Sequence, residues 1–495
     1  MSQIKINKLS FTHENSYTPV FEQISLQLDT NWKLGFTGRN GRGKTTFLKL
    51  LAGEYTYSGT ISTSVQFDYF PFSVEHPDWL VLDLLEELAP QAEQWQIRKE
   101  LSLLAIDEDV FYHPFDTLSS GQQTKVLLAA LFLRENHFLL IDEPTNHLDQ
   151  EGRRIVSQYL NSKKGFILVS HDRRFLDDCV DHILSINKTN LELQEGNFSS
   201  WYTNKQRQDQ FEQTQNERLK KEIQQLQQAA QRTSNWSDQV EATKTGTRIG
   251  GLRPDRGYIG HKAAKMMKRS KSLESRQQKA IDEKSSLLKN IERVDSLKIS
   301  ALPAPAERLL SIRDVSVIYG QTPVNQPVTF DILAGNRIAL QGINGCGKSS
   351  LIKLILGDPL QYTGTIERNS RLQISYISQT VNHLSGTLQQ YAQEQQIELS
   401  QFIAILNKLD FSRTQMEQPM ERFSMGQRKK VLLAASLCQQ AHLYIWDEPL
   451  NYIDIYSRFQ LEDVLLQYQP TLLFVEHDQL FTDKIATKVI TLQIP

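Results

Sequence analysis

Mostly apolar runs of four or five residues recur in two separate parts of the chain. Runs of this kind are typical of strands buried in a parallel sheet, and helix-like apolar stretches follow two of them, at 47–51 and 351–356. This alternation predicts an α/β fold in both parts. The six strand-like runs are 33–36, 138–141, 166–169, 337–340, 443–446 and 471–475.

The segment 201–300 has a different pattern, with apolar residues at spacings of three, four and eight. Apolar residues at such spacings form one stripe along a helix. A glycine-rich stretch, 244–271, interrupts the pattern, so the segment predicts an antiparallel helical hairpin. The stripe before the break contains Phe211, Leu219, Ile223, Leu226 and Ala230, and the stripe after it contains Leu273, Leu287, Ile291 and Val294.

Positive charge is concentrated in this predicted hairpin. The whole chain has a formal net charge of −2, whereas 201–300 contains 21 basic and 12 acidic residues. The tip, 244–271, has nine basic residues and one acid, Asp255. A solvated charged linker is one interpretation, but a basic end on a long helical hairpin favours contact with nucleic acid. The candidate RNA-binding residues are Arg248, Arg253, Arg256, Lys262, Lys265, Lys268 and Arg269.

Length and composition exclude several classes of protein. A chain of 495 residues is too long for one core, so at least two domains are expected. The longest apolar run, 126–133, is shorter than the ~18 residues of a membrane helix, and the first residues lack a signal-peptide pattern. Three widely spaced cysteines fit a reducing cytosol and argue against a disulfide framework or a zinc site.

The same series of five motifs occurs twice, in the same order. The motif lysine and the motif glutamate are 99 residues apart in one copy and 100 in the other. That glutamate and the motif histidine are 28 residues apart in the first copy and 29 in the second. We therefore expect two homologous domains, 1–199 and 301–495, joined by the linker 200–300. The paired motifs are 38–45 with 342–349, 118–122 with 423–427, 142–144 with 447–449, 146–149 with 451–454, and 170–172 with 476–478.

The first motif, Gly-x-x-x-x-Gly-Lys-Ser/Thr, is a P-loop between a predicted strand and a predicted helix. Its glycines let backbone N–H groups surround phosphates at the start of the helix. Lys44 and Lys348 are expected to reach the β- and γ-phosphates, and Thr45 and Ser349 to hold Mg²⁺. The other candidate nucleotide-binding residues of the two loops are Gly38, Asn40, Gly41, Gly43, Thr46, Gly342, Asn344, Gly345, Gly347 and Ser350.

Acids and a histidine follow the later strands of each domain. An aspartate directly after a buried strand is expected to support Mg²⁺, and the glutamate after it to polarise the attacking water. A strand-end acid alone would as readily cap a helix, and a lone histidine is usually structural, but the repeated series favours catalysis, with the histidine on the γ-phosphate. The pairs are Asp142 with Asp447, Glu143 with Glu448, and His171 with His477.

This series resembles that of ATP-binding cassette (ABC) ATPases, because 119–122 is similar to the ABC signature. The resemblance implies two tandem ABC-type P-loop ATPase domains joined by a long α-helical hairpin linker. Such domains pair head to tail, so Lys44 is expected to face the signature of the second domain and Lys348 that of the first. The implied signature residues are Ser119, Gly121, Gln122, Ser424, Gly426 and Gln427, and Gln379 is the implied Q-loop ligand of nucleotide and Mg²⁺.

The chain resembles the ABC-F proteins, because it has two cassettes, a linker of about 100 residues and no apparent membrane segment. The stretches 69–72 and 256–269 are similar to the antibiotic-resistance members of the Lsa type. The resemblance implies a bacterial, cytoplasmic, ribosome-associated protein that uses ATP and Mg²⁺. Its implied partner is the 70S ribosome, which it would bind at the E site beside 23S rRNA and P-site tRNA. The resemblance implies neither a membrane nor an obligate protein subunit as a further partner. The implied activity is protection of the peptidyl-transferase centre from lincosamides, streptogramins A and pleuromutilins, through insertion of the linker.

Several residues depart from the family pattern. Phe72 stands where the first domain would have its Q-loop glutamine. Phe423 and Met425 alter the second signature, so the site around Lys44 is expected to be the slower one. Trp446 precedes the second Mg²⁺-binding aspartate, where an aliphatic residue is usual.

The first domain has no sizeable insertion before its signature. From Phe72 to Ser119 is 47 residues, and from Gln379 to Ser424 is 45, so contacts of an inserted arm with ribosomal protein are expected to be small or absent. An aromatic ring upstream of each P-loop usually stacks on adenine in this family. Phe11 and Tyr319 are the candidates, with a place in the core as the alternative for each.

Three other functions share part of this pattern. A housekeeping translation factor that acts on stalled ribosomes would have every one of these catalytic residues. The ATPase subunit of a transporter would have no use for a long basic projection. A DNA-repair ATPase would usually have zinc modules or a far longer coiled coil.

Overall fold

The computed structural model describes residues 3–13, 19–146, 148–187, 190–242, 296–320 and 322–495, with further helical positions at 265, 268, 272, 275, 276 and 279. It divides into two compact units. One unit, Met1–Trp201 with Val294–Pro495, contains both copies of the repeated motifs, and the other is Tyr202–Arg293. We call 3–197 the first cassette, 296–495 the second cassette and 202–293 the helical unit.

The first cassette contains an antiparallel sheet and a mostly parallel one. The antiparallel sheet has the order β2-β1-β4, and the larger sheet has the order β5-β6-β7-β3-β8-β9, parallel except for the edge pair β8–β9. The strands are β1 (Gln3–Phe11), β2 (Phe21–Asp29), β3 (Lys33–Thr37), β4 (Ser58–Ser62), β5 (Gln66–Phe70), β6 (His137–Asp142), β7 (Phe166–Val169), β8 (His182–Ile186) and β9 (Leu191–Glu195).

Helices cover the larger sheet of the first cassette and connect its strands. Buried apolar residues from β3, β6, β7 and the first helix form one continuous core. The helices are α1 (Lys44–Leu51), α2 (Val81–Leu88), α3 (Gln94–Leu103), α4 (Ser120–Phe132), α5 (Gln150–Asn161) and α6 (Arg173–Cys179), with 3₁₀ turns at Glu108–Tyr112 and Phe115–Thr117.

The second cassette repeats this arrangement. Its antiparallel sheet has β10 at the centre, paired with β11, β12 and β14, and its parallel sheet has the order β15-β16-β17-β13-β18. The strands are β10 (Arg308–Tyr319), β11 (Thr322–Pro323), β12 (Val328–Leu333), β13 (Arg337–Gln341), β14 (Gln361–Arg368), β15 (Ile374–Ile377), β16 (Leu443–Asp447), β17 (Leu472–Val475) and β18 (Lys488–Thr491).

The helices of the second cassette follow the same sequence of elements. Leu297 and Ile299, which precede the first strand, are buried in the core of this cassette. The helix numbering continues from α7, which belongs mainly to the helical unit. The helices are α8 (Lys348–Leu356), α9 (Leu388–Glu394), α10 (Leu399–Lys408), α11 (Arg413–Met416), α12 (Met425–Cys438), α13 (Ile455–Tyr468) and α14 (Gln479–Ile485), with a 3₁₀ turn at Met420–Arg422.

The helical unit begins within α7 (Phe198–Ala242), a single helix of 45 residues. Leu219 and Ile223 are half-buried on it, as the predicted stripe requires, but Phe211 is 64% exposed, so its place in the stripe was wrong. Phe211 lies eight residues before Leu219, which at about 100° per residue turns it roughly 80° away. Single positions of the predicted second helix are described, among them 272, 275, 276 and 279, and these are helical. Its stripe at Leu273, Leu287, Ile291 and Val294 lies outside the described residues, as do the side chains of Leu226 and Ala230.

Parallel strand order brings the carboxyl ends of the central strands together. In the first cassette Phe70 of β5 is paired with Ile141 of β6, and in the second Ile377 of β15 is paired with Trp446 of β16. The residues just beyond these strands therefore occupy the same edge of each sheet. The indole of Trp446 is fully buried and donates to Ser436 at 3.0 Å, so this departure from the family pattern fills the core.

Candidate functional site

The P-loops connect β3 to α1 and β13 to α8. Each helix begins at the motif lysine, directly after a glycine with left-handed backbone, φ 97° at Gly43 and 86° at Gly347. A side chain is strained in this conformation, which explains the glycine at both positions. The free N–H groups of the first helical turn then point into the loop, where an anion is stabilised.

Both P-loop lysines fold back over their loops. Lys44 Nζ donates to the carbonyl oxygens of Gly38 at 2.8 Å and Arg39 at 3.2 Å. Lys348 Nζ donates to Gly342 at 2.8 Å and to the next carbonyl at 2.9 Å. Each ammonium therefore lies within its own loop, at the start of the helix where a phosphate chain is expected to bind.

The hydroxyl and carboxylate oxygens next to each lysine fit Mg²⁺. Thr45 Oγ1 donates to Asp142 Oδ2 at 2.7 Å, and Ser349 makes the corresponding bond to Asp447. The other oxygen of Asp447, Oδ1, is buried without a hydrogen-bond partner in the described part of the chain. Mg²⁺ prefers one or two carboxylates together with phosphate oxygens and water, so this donor set fits the ion.

The glutamate after each aspartate has an unusual backbone, with φ 52° at Glu143 and 49° at Glu448. Left-handed conformations of large residues cost energy and concentrate at functional sites. In the first cassette His171 Nε2 lies 3.4 Å from Glu143 Oε1 and 3.1 Å from Asn40 Oδ1. The histidine thus connects the predicted catalytic glutamate with the P-loop.

Burial controls the charge of this first pair. Burial, with Asp142 next to it, raises the pKa of Glu143 to about 8. Burial, with Lys44 nearby, lowers the pKa of His171 well below its ordinary value. At pH 7 both side chains are therefore mainly neutral in this conformation.

The second glutamate is held differently. Asn451 Nδ2 donates to Glu448 Oε2 at 2.6 Å, and His477 Nε2 lies 3.5 Å from Glu448 Oε1. Burial raises the pKa of Glu448, but hydrogen bonds from His477 and Gln379 outweigh it and leave the pKa below its ordinary value. This carboxylate is ionised at neutral pH.

The Q-loop position explains part of this difference. Phe72 and Gln379 occupy equivalent positions in the two cassettes. Each lies two residues after the end of its strand, at Phe70 and Ile377, and these two strand ends are paired in the same register with the strand that carries the aspartate. Phe72 is half-buried and has no group that can donate to Glu143. In the first cassette the Tyr69 hydroxyl donates instead to Asp142, at 3.1 Å.

Each signature motif starts a helix with a capping box. The hydroxyl of Ser119 accepts from the backbone N–H of Gln122, whose side chain accepts in return from Ser119 N at 3.1 Å. Ser424 and Gln427 make the same pair of bonds at the start of α12. Phe423 is buried and packs against a neighbouring phenyl ring, so it fills the core as Leu118 does, whereas Met425 is 42% exposed.

The first P-loop touches the second cassette. Asn40 Nδ2 donates to the backbone oxygen of Tyr452 at 2.7 Å. A Cβ added at Gly426 would lie 2.9 Å from the same Asn40 nitrogen, so this signature glycine is needed for the close approach. Arg39 and Arg42 form ion pairs with Asp410, at 3.7 and 3.2 Å. Sequence spacing gave no signal for these contacts, since the partners lie more than 360 positions apart.

The second P-loop borders a cavity of about 490 Å³ that both cassettes line. From the second cassette come the P-loop, Gln379, Glu448 and His477. From the first cassette come Ser120 of the signature helix and residues of the motif at 146–149. Its size is typical of a small-molecule site.

A buried ion pair connects the first cassette with the second. Arg173 of α6 donates to Glu462 of α13 at 2.6 Å, and both side chains are buried. In the repeat, Gln479 of the second cassette corresponds to Arg173, and Ser157 of the first cassette corresponds to Glu462. These two neutral residues line a second cavity of about 340 Å³. The two P-loops therefore have different surroundings.

The two candidates for adenine stacking differ in exposure. Tyr319 is 51% exposed, lines the larger cavity, and its hydroxyl lies 3.1 Å from Ser350 Oγ. Phe11 is buried in the core, as its alternative interpretation allowed. Lys8 in β1 and Asp314 in β10 have the same left-handed backbone, and each lies at a register shift of its strand. Tyr319 is five residues after Asp314, so its counterpart is His13, five residues after Lys8. His13 is exposed and lies beside Tyr55.

The predicted RNA-binding residues are only partly described. Lys265 and Lys268 are exposed at helical positions of the helical unit. The other five lie outside the described residues: Arg248, Arg253, Arg256, Lys262 and Arg269.

Comparison with known proteins identifies the fold that holds this site. The family model described as ABC transporter matches residues 21–146 and 325–451, just over half of the chain. The chain belongs to the ABC transporter family. Both copies of the ABC domain span a P-loop, a signature and a Walker aspartate, so the protein is an ATP-binding protein with the ATPase machinery of that family. No helix in the described ranges has the length and apolar character needed to cross a membrane.

Relatives match nearly the whole chain. The ribosome protection protein VmlR of Bacillus subtilis is 28% identical over 94% of this chain and 82% of its own length. The ATP-binding protein Uup of Caulobacter vibrioides is 26% identical over 96% of this chain and 75% of its own length. The crystal structure of the complex of archaeal ribosomal stalk protein aP1 and archaeal ribosome recycling factor aABCE1 matches with a TM-score of 0.62 at 17% identity, covering 99% of this chain and 88% of that one. These matches confirm the tandem ABC fold and the resemblance to the ABC-F proteins.

Proposed function

We propose that this protein protects bacterial ribosomes from antibiotics of the peptidyl-transferase centre, namely lincosamides, streptogramins A and pleuromutilins. The observation that carries the proposal is the 28% identity, over 94% of the chain, to a protein named for ribosome protection. In this account the segment 200–300 is the linker between ATPase domains 1–199 and 301–495. It enters through the E site, beside 23S rRNA and P-site tRNA.

We propose that each ATP binds between the P-loop of one cassette and the signature of the other. The hydrogen bond from Asn40 to Tyr452, with Gly426 next to it, supports this arrangement at the first P-loop. The cavity that the second P-loop shares with Ser120 supports it at the second. ATP would then join the cassettes, and hydrolysis would release them.

The residues present can perform the chemistry that this requires. The loop N–H groups and the lysine bind the phosphates, and the Thr45–Asp142 and Ser349–Asp447 pairs hold Mg²⁺, which neutralises phosphate charge when bound. Glu448 is ionised and accepts a hydrogen bond from the attacking water. His477, beside Glu448, contacts the γ-phosphate.

The linker supplies the attraction to RNA. Its segment 201–300 has nine more basic than acidic residues, 21 against 12, whereas the chain as a whole is slightly acidic. Contacts between Lys or Arg and phosphate are independent of sequence and weaken with salt. Lys265 and Lys268, both exposed, are suited to such contacts.

A second candidate is a housekeeping translation factor that acts on stalled ribosomes without any drug. It is favoured by the 26% identity to Uup, a protein named only as ATP-binding, which is nearly as similar as VmlR. Both functions use the same ATP sites. They differ in whether the phenotype depends on an antibiotic.

Growth of a susceptible bacterium with and without this gene separates the two. We expect expression to raise the inhibitory concentrations of lincomycin, a streptogramin A and a pleuromutilin, and the matched variant E143Q/E448Q to abolish the effect. Unchanged inhibitory concentrations for all three drugs, at confirmed expression, would contradict ribosome protection. A growth defect on gene deletion in drug-free medium would support the housekeeping factor.

A further inference from the structure

A buried lysine connects the signature helix of the second cassette to its predicted Mg²⁺ ligands. Lys429 lies on α12 and is 1% exposed. Its Nζ donates to the carbonyl oxygen of Ser378 at 2.9 Å and to that of Asp447 at 3.2 Å. One ammonium thus joins the ends of two neighbouring strands, β15 and β16.

These two carbonyls belong to the segments that carry the metal ligands. Ser378 directly precedes Gln379, and Asp447 is itself the predicted Mg²⁺ ligand. A hydrogen-bond donor between them fixes the distance from the Q-loop to the end of β16. Groups that orient metal ligands in this way change metal affinity about 10- to 100-fold when removed.

The first cassette has a threonine at the position equivalent to Lys429. Thr124, five residues after Ser119 as Lys429 is five after Ser424, donates to Ser120 of its own helix at 2.9 Å. It therefore makes no connection to the Q-loop.

A buried carboxylate contributes to the electrostatic surroundings of the lysine. Glu476 is buried and accepts from the backbone N–H of Leu450 at 2.7 Å and of His477 at 3.0 Å. Of the carboxylates near Lys429 it raises the lysine pKa most, ahead of Asp447, while Arg458 is the main cation that acts on Glu476. At the position of Glu476 the first cassette has Ser170, a neutral residue, just as it has a neutral threonine for the lysine. The two charges therefore occur together in one cassette and are both absent from the other.

The helix that carries Lys429 also faces the other ATP site. α12 starts next to Ser424, and Gly426 in its first turn approaches Asn40 of the first P-loop. A shift of α12 at its start would therefore move the ammonium that holds the two strand ends.

We propose that Lys429 is a positioning residue for Mg²⁺ at the second P-loop and that it couples this site to the signature helix facing the first. The proposal rests on the assignment of Asp447 and Gln379 to Mg²⁺, not on the ribosome. Purified protein without ribosomes therefore tests it separately from ribosome protection.

The experiment measures Mg²⁺-dependent binding of a fluorescent ATP analogue and, in parallel, the urea midpoint of unfolding. All variants have K44A in addition, so that the second P-loop dominates binding. The variants are K429T, the double variant K429T/E476S, and the exposed-lysine control K353T. The double variant reproduces the neutral pair Thr124 and Ser170 of the first cassette.

We expect K429T to lower the urea midpoint, because it removes a cation from the surroundings of the buried Glu476, which keeps Arg458, and leaves the carbonyl oxygens of Ser378 and Asp447 without this donor; K429T/E476S should recover part of the loss. Both should need about 10-fold more Mg²⁺ for half-maximal binding, whereas K353T should match the parent. A Mg²⁺ requirement that returns to the parent value together with stability would show that the lysine is structural only and overturn the proposal. Failure of the double variant to fold would overturn it too, since the first cassette folds with this pair.

Discussion

Removing the two predicted catalytic glutamates one at a time should expose a difference between the ATP sites. Glu448 is ionised and held by Asn451, His477 and Gln379. Burial and the neighbouring Asp142 raise the pKa of Glu143 to about 8, so this carboxyl is mainly protonated at pH 7. The second site should therefore carry most of the turnover.

The expected magnitudes follow from those two states. Loss of a general base costs on the order of 10²–10⁴ in rate at the affected site. E448Q should therefore lower steady-state ATPase at least about 10-fold at pH 7, which leaves the turnover of the first site. E143Q removes a group that is mostly protonated already, so its ATPase should stay within about twofold of wild type.

The dependence on pH provides an internal check. A carboxyl with a raised pKa gains its charge only as the pH rises through that pKa. The residual ATPase of E448Q should therefore increase between pH 7 and 9, as Glu143 gains its charge, and this increase should be absent from E143Q/E448Q. Phosphate release at saturating ATP and Mg²⁺ measures all four proteins. A clearly larger loss from E143Q than from E448Q at pH 7 would contradict the assignment of most turnover to the second site.

Two further predictions concern the cassette interface and the linker. R173A should destabilise the unit by about 3 kcal/mol in urea unfolding, because Glu462 is left buried with Lys484 as its remaining cation. The control R154A removes an exposed arginine and should leave the midpoint unchanged. Changing Lys265, Lys268 and Arg269 together to alanine should weaken pelleting with ribosomes and reduce the slope of log affinity against log salt by roughly one for each phosphate that the protein no longer neutralises. Equal slopes for mutant and wild type would show that these residues do not contact phosphate.

Local pattern was enough to predict the fold class and the position of each motif. Strand ends, P-loops and signature helices follow from short apolar runs and fixed spacings, which are properties of neighbouring residues. Parallel strand order then brings Asp142 to Thr45, 97 positions away, without any further information. This is why the repeat could be interpreted as two ATPase domains from sequence alone.

Contacts between distant segments could not be predicted in this way. Asn40 meets Tyr452 because the two cassettes face each other, and no spacing within either cassette encodes that contact. The bonds of Lys429 to Ser378 and Asp447 likewise join segments that are far apart in sequence, and the signature before this residue does not encode them. Phe211 was assigned to a stripe by spacing alone, although a step of eight residues turns it away from Leu219.

We propose that ATP binding lets the linker free the peptidyl-transferase centre of drug. This is tested by translation of a reporter in a reconstituted bacterial system that is inhibited by lincomycin and supplied with the purified protein. We predict that wild-type protein restores reporter synthesis. A variant with 248–253 replaced by a Gly/Ser turn should still pellet with ribosomes and hydrolyse ATP, but should not restore synthesis. Full restoration by that variant, or none by wild-type protein that pellets with ribosomes, would contradict the account.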